Sequence, residues 1–199
     1  VKDERVLGLS GLGDGGPYIE VLKRMFAFQP PPRHTRMRAL VNRGFSSRSV
    51  NALEPRIQQV VDELLDELEP KGEMDLVADF AFRVPVTVIC QMLGAPLEDV
   101  PHISEWAANF GRRADEGEEL TSEMERLGDS SATSFVEYVK SLLVERRAVP
   151  KDDLLTRLIE VQRDAPDLTD DDIAATAILL FQAGHETTAN MISKGVLGL

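Results

Sequence analysis

Apolar residues recur along most of the chain at spacings of three and four, as in Val60, Leu64, Leu65 and Leu68. That period is the signature of helices burying one face. It predicts helices over 34–45, 53–68, 76–93, 99–112, 119–146, 152–163 and 169–199, and hence an all-α fold. Strand-like alternation is scarce. Glycine and proline punctuate the gaps at Gly11 to Pro17, Pro30-Pro31-Pro32, Pro70 to Gly72, Gly94-Ala95-Pro96 and Pro150. Five glycines in nine residues, Gly8 to Gly16, predict a mobile loop. The acidic run Glu116 to Glu125 reads as a solvated helix face.

The last segment differs from the others. Thr169 is placed to cap, and Asp170, Asp171 and Asp172 put negative charge where the helix dipole favours it. Asp172 stands at the third position after the cap, as in a capping box. From Ile173 to Ala183 the helix is apolar on nearly every side, which predicts a buried central element. Gly184, His185, Glu186, Thr187 and Thr188 then interrupt it. Polar groups inside a core cost free energy unless satisfied, so they mark a candidate site. Thr187 can bond the carbonyl of Ala183, and Gly184 weakens the same turn. Two readings follow: a groove in which a free carbonyl faces a hydroxyl, with Glu186 carrying protons, or a helix kinked for packing.

The length of 199 residues fits one domain. Lys plus Arg is 22 and Asp plus Glu is 34, giving a net charge of −12, which argues against a nucleic-acid or anionic-membrane partner. Wholly apolar runs are only a few residues long, far short of a membrane span. The single cysteine, Cys90, forms no intrachain disulfide and suggests a reducing compartment. It lies in the apolar run Val86 to Leu93 and reads as a small buried hydrophobe. His185-Glu186 invites a zinc reading, but the second ligand position holds Ala189, and His34 and His102 are distant in sequence. From Val21 to Leu53 there is no Asp or Glu, while Lys23, Arg24, Arg33, Arg36, Arg38, Arg43 and Arg48 give +7, leaving −19 for the rest. That contrast predicts a local anionic contact. His34 and Arg38, four apart, share a helix face and suit a carboxylate or phosphate, or plain solvent.

Two phrases then coincide. His34-Thr35-Arg36-Met37-Arg38-Ala39-Leu40-Val41 with Phe45-Ser46 resembles the C-helix segment of the cytochrome P-450 family. Ala183-Gly184-His185-Glu186-Thr187-Thr188 resembles that family's I-helix motif. Leu93-Gly94-Ala95-Pro96, Asp152-Asp153-Leu154-Leu155 and Leu168-Thr169-Asp170 are similar to soluble bacterial members. The resemblance implies a haem-thiolate monooxygenase, cytoplasmic, oxidising a small organic substrate with dioxygen and two electrons from a ferredoxin-type donor. It places His34 and Arg38 on the haem propionates and Ala183 and Gly184 over the distal haem face. It gives Glu186 and Thr187 the governance of proton delivery, and sets Gly8–Gly16 in the roof of the substrate pocket. Arg36 and Arg43 share the opposite face of their helix and would meet an acidic electron donor.

The family's axial cysteine sits in a Phe-x-x-Gly-x-x-x-Cys-x-Gly loop after the I-helix. Cys90 precedes that helix and lacks both the Phe and the Gly, so no metal ligand is assigned in this chain. The Glu-x-x-Arg patterns at Glu123 to Arg126 and Glu160 to Arg163 also precede it and read as chance. Residues 1–199 are therefore expected to form a single partial domain, lacking the N-terminal β region and the C-terminal Cys region, and inactive alone. The chief rival is a non-catalytic helical small-molecule-binding or sensor module; a downstream Cys loop in the adjoining sequence would favour the enzyme. An oligomerisation domain is a weaker rival, predicting no buried Glu186-Thr187.

Overall fold

The computed structural model of the chain describes residues 15–44, 51–114, 120–165 and 167–198. The glycine-rich stretch before Gly15, the Phe45-Ser46 pair, Arg48 and the first part of the acidic run, 116–119, lie outside the described residues. Those residues form eight α-helices and no strand: α1 (Pro17–Arg24), α2 (Arg33–Gly44), α3 (Glu54–Leu68), α4 (Arg83–Leu93), α5 (Val100–Arg113), α6 (Ser122–Ala148), α7 (Leu154–Arg163) and α8 (Asp170–Leu197). The all-α expectation holds, with two differences.

The first is α1, which the periodicity left unassigned. It has only 8 residues, too few to display a pattern. Pro17 opens it with a φ already suited to a helix, and Tyr18, Ile19, Val21 and Leu22 are buried. The second is the expected helix 76–93, which is two elements. Asp75 accepts from the amides of Val77 and Ala78 at 2.9 Å and starts a π-helical turn, Leu76–Ala81. α4 begins after Phe82. Together Leu76–Leu93, with mean hydropathy 1.6 over 18 residues, are long and apolar enough to cross a membrane by length and composition. The expectation from run length was thus too simple: the stretch carries Asp79 and Arg83, and α4 packs on α8.

α8 is the axis of the molecule. α1, α4, α5, α6 and α7 all pack against it. Thr169 and Asp172 form the expected capping box. Around it the apolar stripes of the other helices close one core that includes Tyr18, Phe110, Phe135, Leu155, Ile178 and Phe181. A buried ion pair fixes the corner where α4, α6 and α7 meet. Arg146 binds the Asp153 carboxylate and the Gly94 carbonyl, and Asp153 caps α7 through the Thr156 amide at 2.8 Å. Gly94 has φ +83, and a side chain there would collide with Asp153, so both conformation and space require glycine.

The basic segment finds its anionic contact within the chain. Arg33 reaches Asp172 at 2.9 Å, Arg24 lies between Asp171 at 3.7 Å and Asp172 at 3.5 Å, and Arg36 bonds Asp167 at 2.6 Å. The acidic start of α8 thus serves its own dipole and also receives the arginines of α1 and α2.

Candidate functional site

α8 changes character along its length. From Ile173 to Ile178 no residue is more than 1% exposed. Beyond Phe181 one side is bare, and Ala183, Glu186, Thr187, Asn190 and Met191 are exposed. The expectation that the polar interruption sits inside a core is therefore corrected for Glu186 and Thr187, since no described element of this chain covers that side. It holds for His185, which is 7% exposed. The His185 ring meets Phe82 edge-on at 4.3 Å between centroids and Phe181 at 5.6 Å. Neither of its nitrogens has a hydrogen-bond partner among the described residues. Burial pushes its pKa below the ordinary imidazole value, opposed in part by the nearby Glu186 carboxylate.

The Thr187 hydroxyl donates to the Ala183 carbonyl at 2.6 Å. This is the i−4 bond the spacing predicts, yet it does not open the helix, which runs unbroken from Asp170 to Leu197. The groove of a free carbonyl facing a hydroxyl is thus absent, because the two groups satisfy each other. Gly184 is turned about 100° from Ala183, toward α4. A Cβ there would come 2.9 Å from Ile89 Cδ1, so the missing side chain lets α4 and α8 approach.

An open cleft of about 700 Å³ borders the bare strip, between α1, α5 and α8. Its walls include Leu22, Met25, Phe110 and Leu179, with Glu186 and Asn190 on the side nearest Thr187. Gln182 ties the walls together by donating to the Ala107 carbonyl at 2.9 Å. A cleft with apolar walls and a few polar groups suits a small organic ligand.

On α2, His34 is half-buried and Arg38 is exposed. His34 Nδ1 donates to the Phe26 carbonyl at 2.8 Å, which fixes the ring and leaves Nε2 as the outward atom. Arg38 forms no ion pair or hydrogen bond among the described residues, in contrast to Arg24, Arg33 and Arg36. Cys90 is fully buried, and burial pushes its thiol up to about 12. It is packed as a hydrophobe and offers no thiolate.

No protein-family model matches the chain. Curated relatives do. Cytochrome P-450 CYP107DY1 of Priestia megaterium is 41% identical over 169 residues, 85% of this chain and 40% of the relative. Vitamin D(3) 25-hydroxylase of Pseudonocardia autotrophica is 39% identical over 176 residues, 88% of this chain and 41% of the relative. Among solved structures, P450BioI in complex with a hexadec-9Z-enoic acid-ligated acyl carrier protein matches with a TM-score of 0.84 and 35% identity, over 92% of this chain and 47% of that one. The chain belongs to the cytochrome P-450 family. It spans about two fifths of the length of these curated relatives.

Haem is the cofactor of cytochromes P-450, and the residues present fit part of it. Among the described residues His34 Nε2 and the Arg38 guanidinium are left for carboxylates, and the small Ala183 side chain on bare helix admits a flat apolar group. The axial thiolate does not fit Cys90, which is inaccessible.

The sequence reading missed Asp172 as more than a cap and Arg33 as its partner. The signal was present as two opposite charge runs, 21–53 and 170–172, but their meeting depends on the fold. Tyr18, wholly buried, with no hydrogen-bond partner for its hydroxyl among the described residues and beside the cleft, was missed because its helix was.

Proposed function

We propose that this cytochrome P-450 chain supplies the distal wall and the carboxylate grip of a haem-thiolate monooxygenase, which oxidises a small organic molecule with dioxygen and two electrons. The observation that carries this reading is the bare strip of Ala183, Glu186 and Thr187 on α8, bordered by an apolar cleft, in a chain whose α2 offers His34 and Arg38. Haem, when bound, supplies the iron centre at which dioxygen is reduced. His34 Nε2 and Arg38 hold its carboxylates. Nδ1 stays on the Phe26 carbonyl, which holds the ring so that Nε2 is the atom left for a carboxylate. Ala183 keeps the approach to the helix open. Thr187 holds its proton on the Ala183 carbonyl and presents oxygen lone pairs outward, so it can accept from a water and redirect its own proton. Glu186, exposed beside the cleft, exchanges protons with solvent and resupplies that water. The substrate occupies the cleft and its apolar walls exclude bulk water.

The axial cysteine, on this reading, comes from sequence beyond this chain. A ferredoxin-type donor supplies electrons. Arg43, exposed and without an ion pair among the described residues, suits its acidic surface, whereas Arg36 is engaged by Asp167. A cytoplasmic location accords with one buried, reduced cysteine.

The test is peroxide released per reductant consumed in the complete enzyme. A positioned proton donor contributes about 10²–10⁴-fold. Thr187→Ala is expected to keep consuming reductant and to divert much of it to peroxide. Thr188→Ala, turned about 100° away, is expected to do less. Coupling in Thr187→Ala as tight as in wild type would contradict the proton role.

A further inference from the structure

Asp172 is wholly buried, although the capping box needs only one of its oxygens. Oδ2 serves the cap, accepting from the Thr169 amide at 3.0 Å and hydroxyl at 2.8 Å. Oδ1 points the other way and accepts from Arg33 at 2.9 Å and Arg24 at 3.5 Å. A cap alone works with a neutral acceptor and works in solvent. Burying a carboxylate costs free energy unless it is paired, so the second oxygen has a second task.

The partners show what that task is. Arg33 is the first residue of α2 and immediately precedes His34. Arg24 is the last residue of α1. α2 rests on α7 and on the short turn Phe26–Phe28, and its polar reach to α8 is made through Arg33. The neighbouring pair Arg36–Asp167 is more than half exposed on both sides and so contributes little. The groups that would hold the haem carboxylates and the strip that would face the haem therefore stand on two helices linked through one buried charge.

We propose that Asp172 is a positioning residue for haem: its Oδ1, clamping Arg33 and Arg24, sets where His34 and Arg38 stand relative to Ala183 and Thr187. The inference rests on the haem reading above. It adds a residue that touches neither cofactor nor substrate.

Asp172→Asn separates the two tasks, because an amide oxygen can still accept from Thr169 while the charge toward the arginines is lost. Two measurements are made on the 199-residue chain: ferric haem affinity by absorbance titration, and the α2–α8 distance by pulsed electron resonance between spin labels at Asn42→Cys and Lys194→Cys in a Cys90→Ala background. Wild type is expected to give one narrow distance. Asp172→Asn is expected to broaden it and to weaken haem binding at least about tenfold, the scale on which supporting groups act, with helix content unchanged. Arg33→Gln is expected to do the same, and the double variant to add nothing further. Arg33 is half exposed, so it carries the test if Asp172→Asn fails to fold. An unchanged distance, or an altered distance with unchanged haem affinity, would overturn the proposal. A wild-type chain that takes up no haem would instead count against the haem reading, and the distance alone would then decide whether Asp172 holds α2.

Discussion

The two halves of α8 show how one helix can be scaffold at one end and site at the other. Its first half is closed by other parts of this chain: Ile173 to Ile178 are at most 1% exposed, and the acidic cap is clamped by arginines from α1 and α2. Its second half keeps one side against α4, where Gly184 meets Ile89, and leaves the other bare at Ala183, Thr187 and Met191. Both halves belong to one unbroken helix. What separates them is which neighbours the chain supplies. Energy spent on packing is concentrated in the first half, and groups free to act on something else are concentrated in the second.

Substitutions should divide the same way. Phe181→Ala, at the seam and wholly buried, is expected to destabilise by about 3–5 kcal/mol in a denaturant titration. A loss below about 1 kcal/mol would mean the closed half is not the scaffold. Asp153→Ala is expected to cost a similar amount, because it strands the buried Arg146 and uncaps α7.

His185 gives a pH signature. Its folded pKa lies below the unfolded value of about 6.5, so the unfolded state binds more protons between the two. Stability is then complete above about 6.5 and falls as pH drops through that value toward the lowered one. His185→Leu should remove this slope between pH 7 and 5, as read by thermal melts; an identical slope would place the titration elsewhere. Gly184→Ala sets a gain in helix propensity of about 1 kcal/mol against a collision with Ile89, and a net loss of about 1 kcal/mol is expected. A stabilised variant would show that α4 gives way easily. Met191→Ala, 68% exposed on the bare side, should change stability by less than about 0.5 kcal/mol.

Much of the fold was legible because helical periodicity is local. Six of the eight helices follow from it to within a few residues at each end, α4 is the second part of a longer expected helix, and the Thr169–Asp172 cap follows from two residue types at one spacing. Helix α1 was not legible, since 8 residues carry too little pattern and its burial comes from α6 and α8. The π turn at Leu76–Ala81 was hidden because Asp75 can cap either kind of helix. At the site, the Thr187–Ala183 bond follows from i−4 geometry alone. The exposure of Glu186 and Thr187 does not, because sequence shows that a segment is apolar but not which neighbours reach it. The clamp on Asp172 was likewise split between two charge runs 139 residues apart.

The central claim is that the bare half of α8 is the haem face and the closed half is not. Adding ferric haem to the isotopically labelled chain tests this through paramagnetic broadening of amide signals. The account predicts that Ala183, Gly184 and Thr187 broaden together with His34, while Ala174, Ala175 and Ala177 stay sharp. Broadening centred on the closed half or on α3, with Ala183 and Thr187 unaffected, would contradict it.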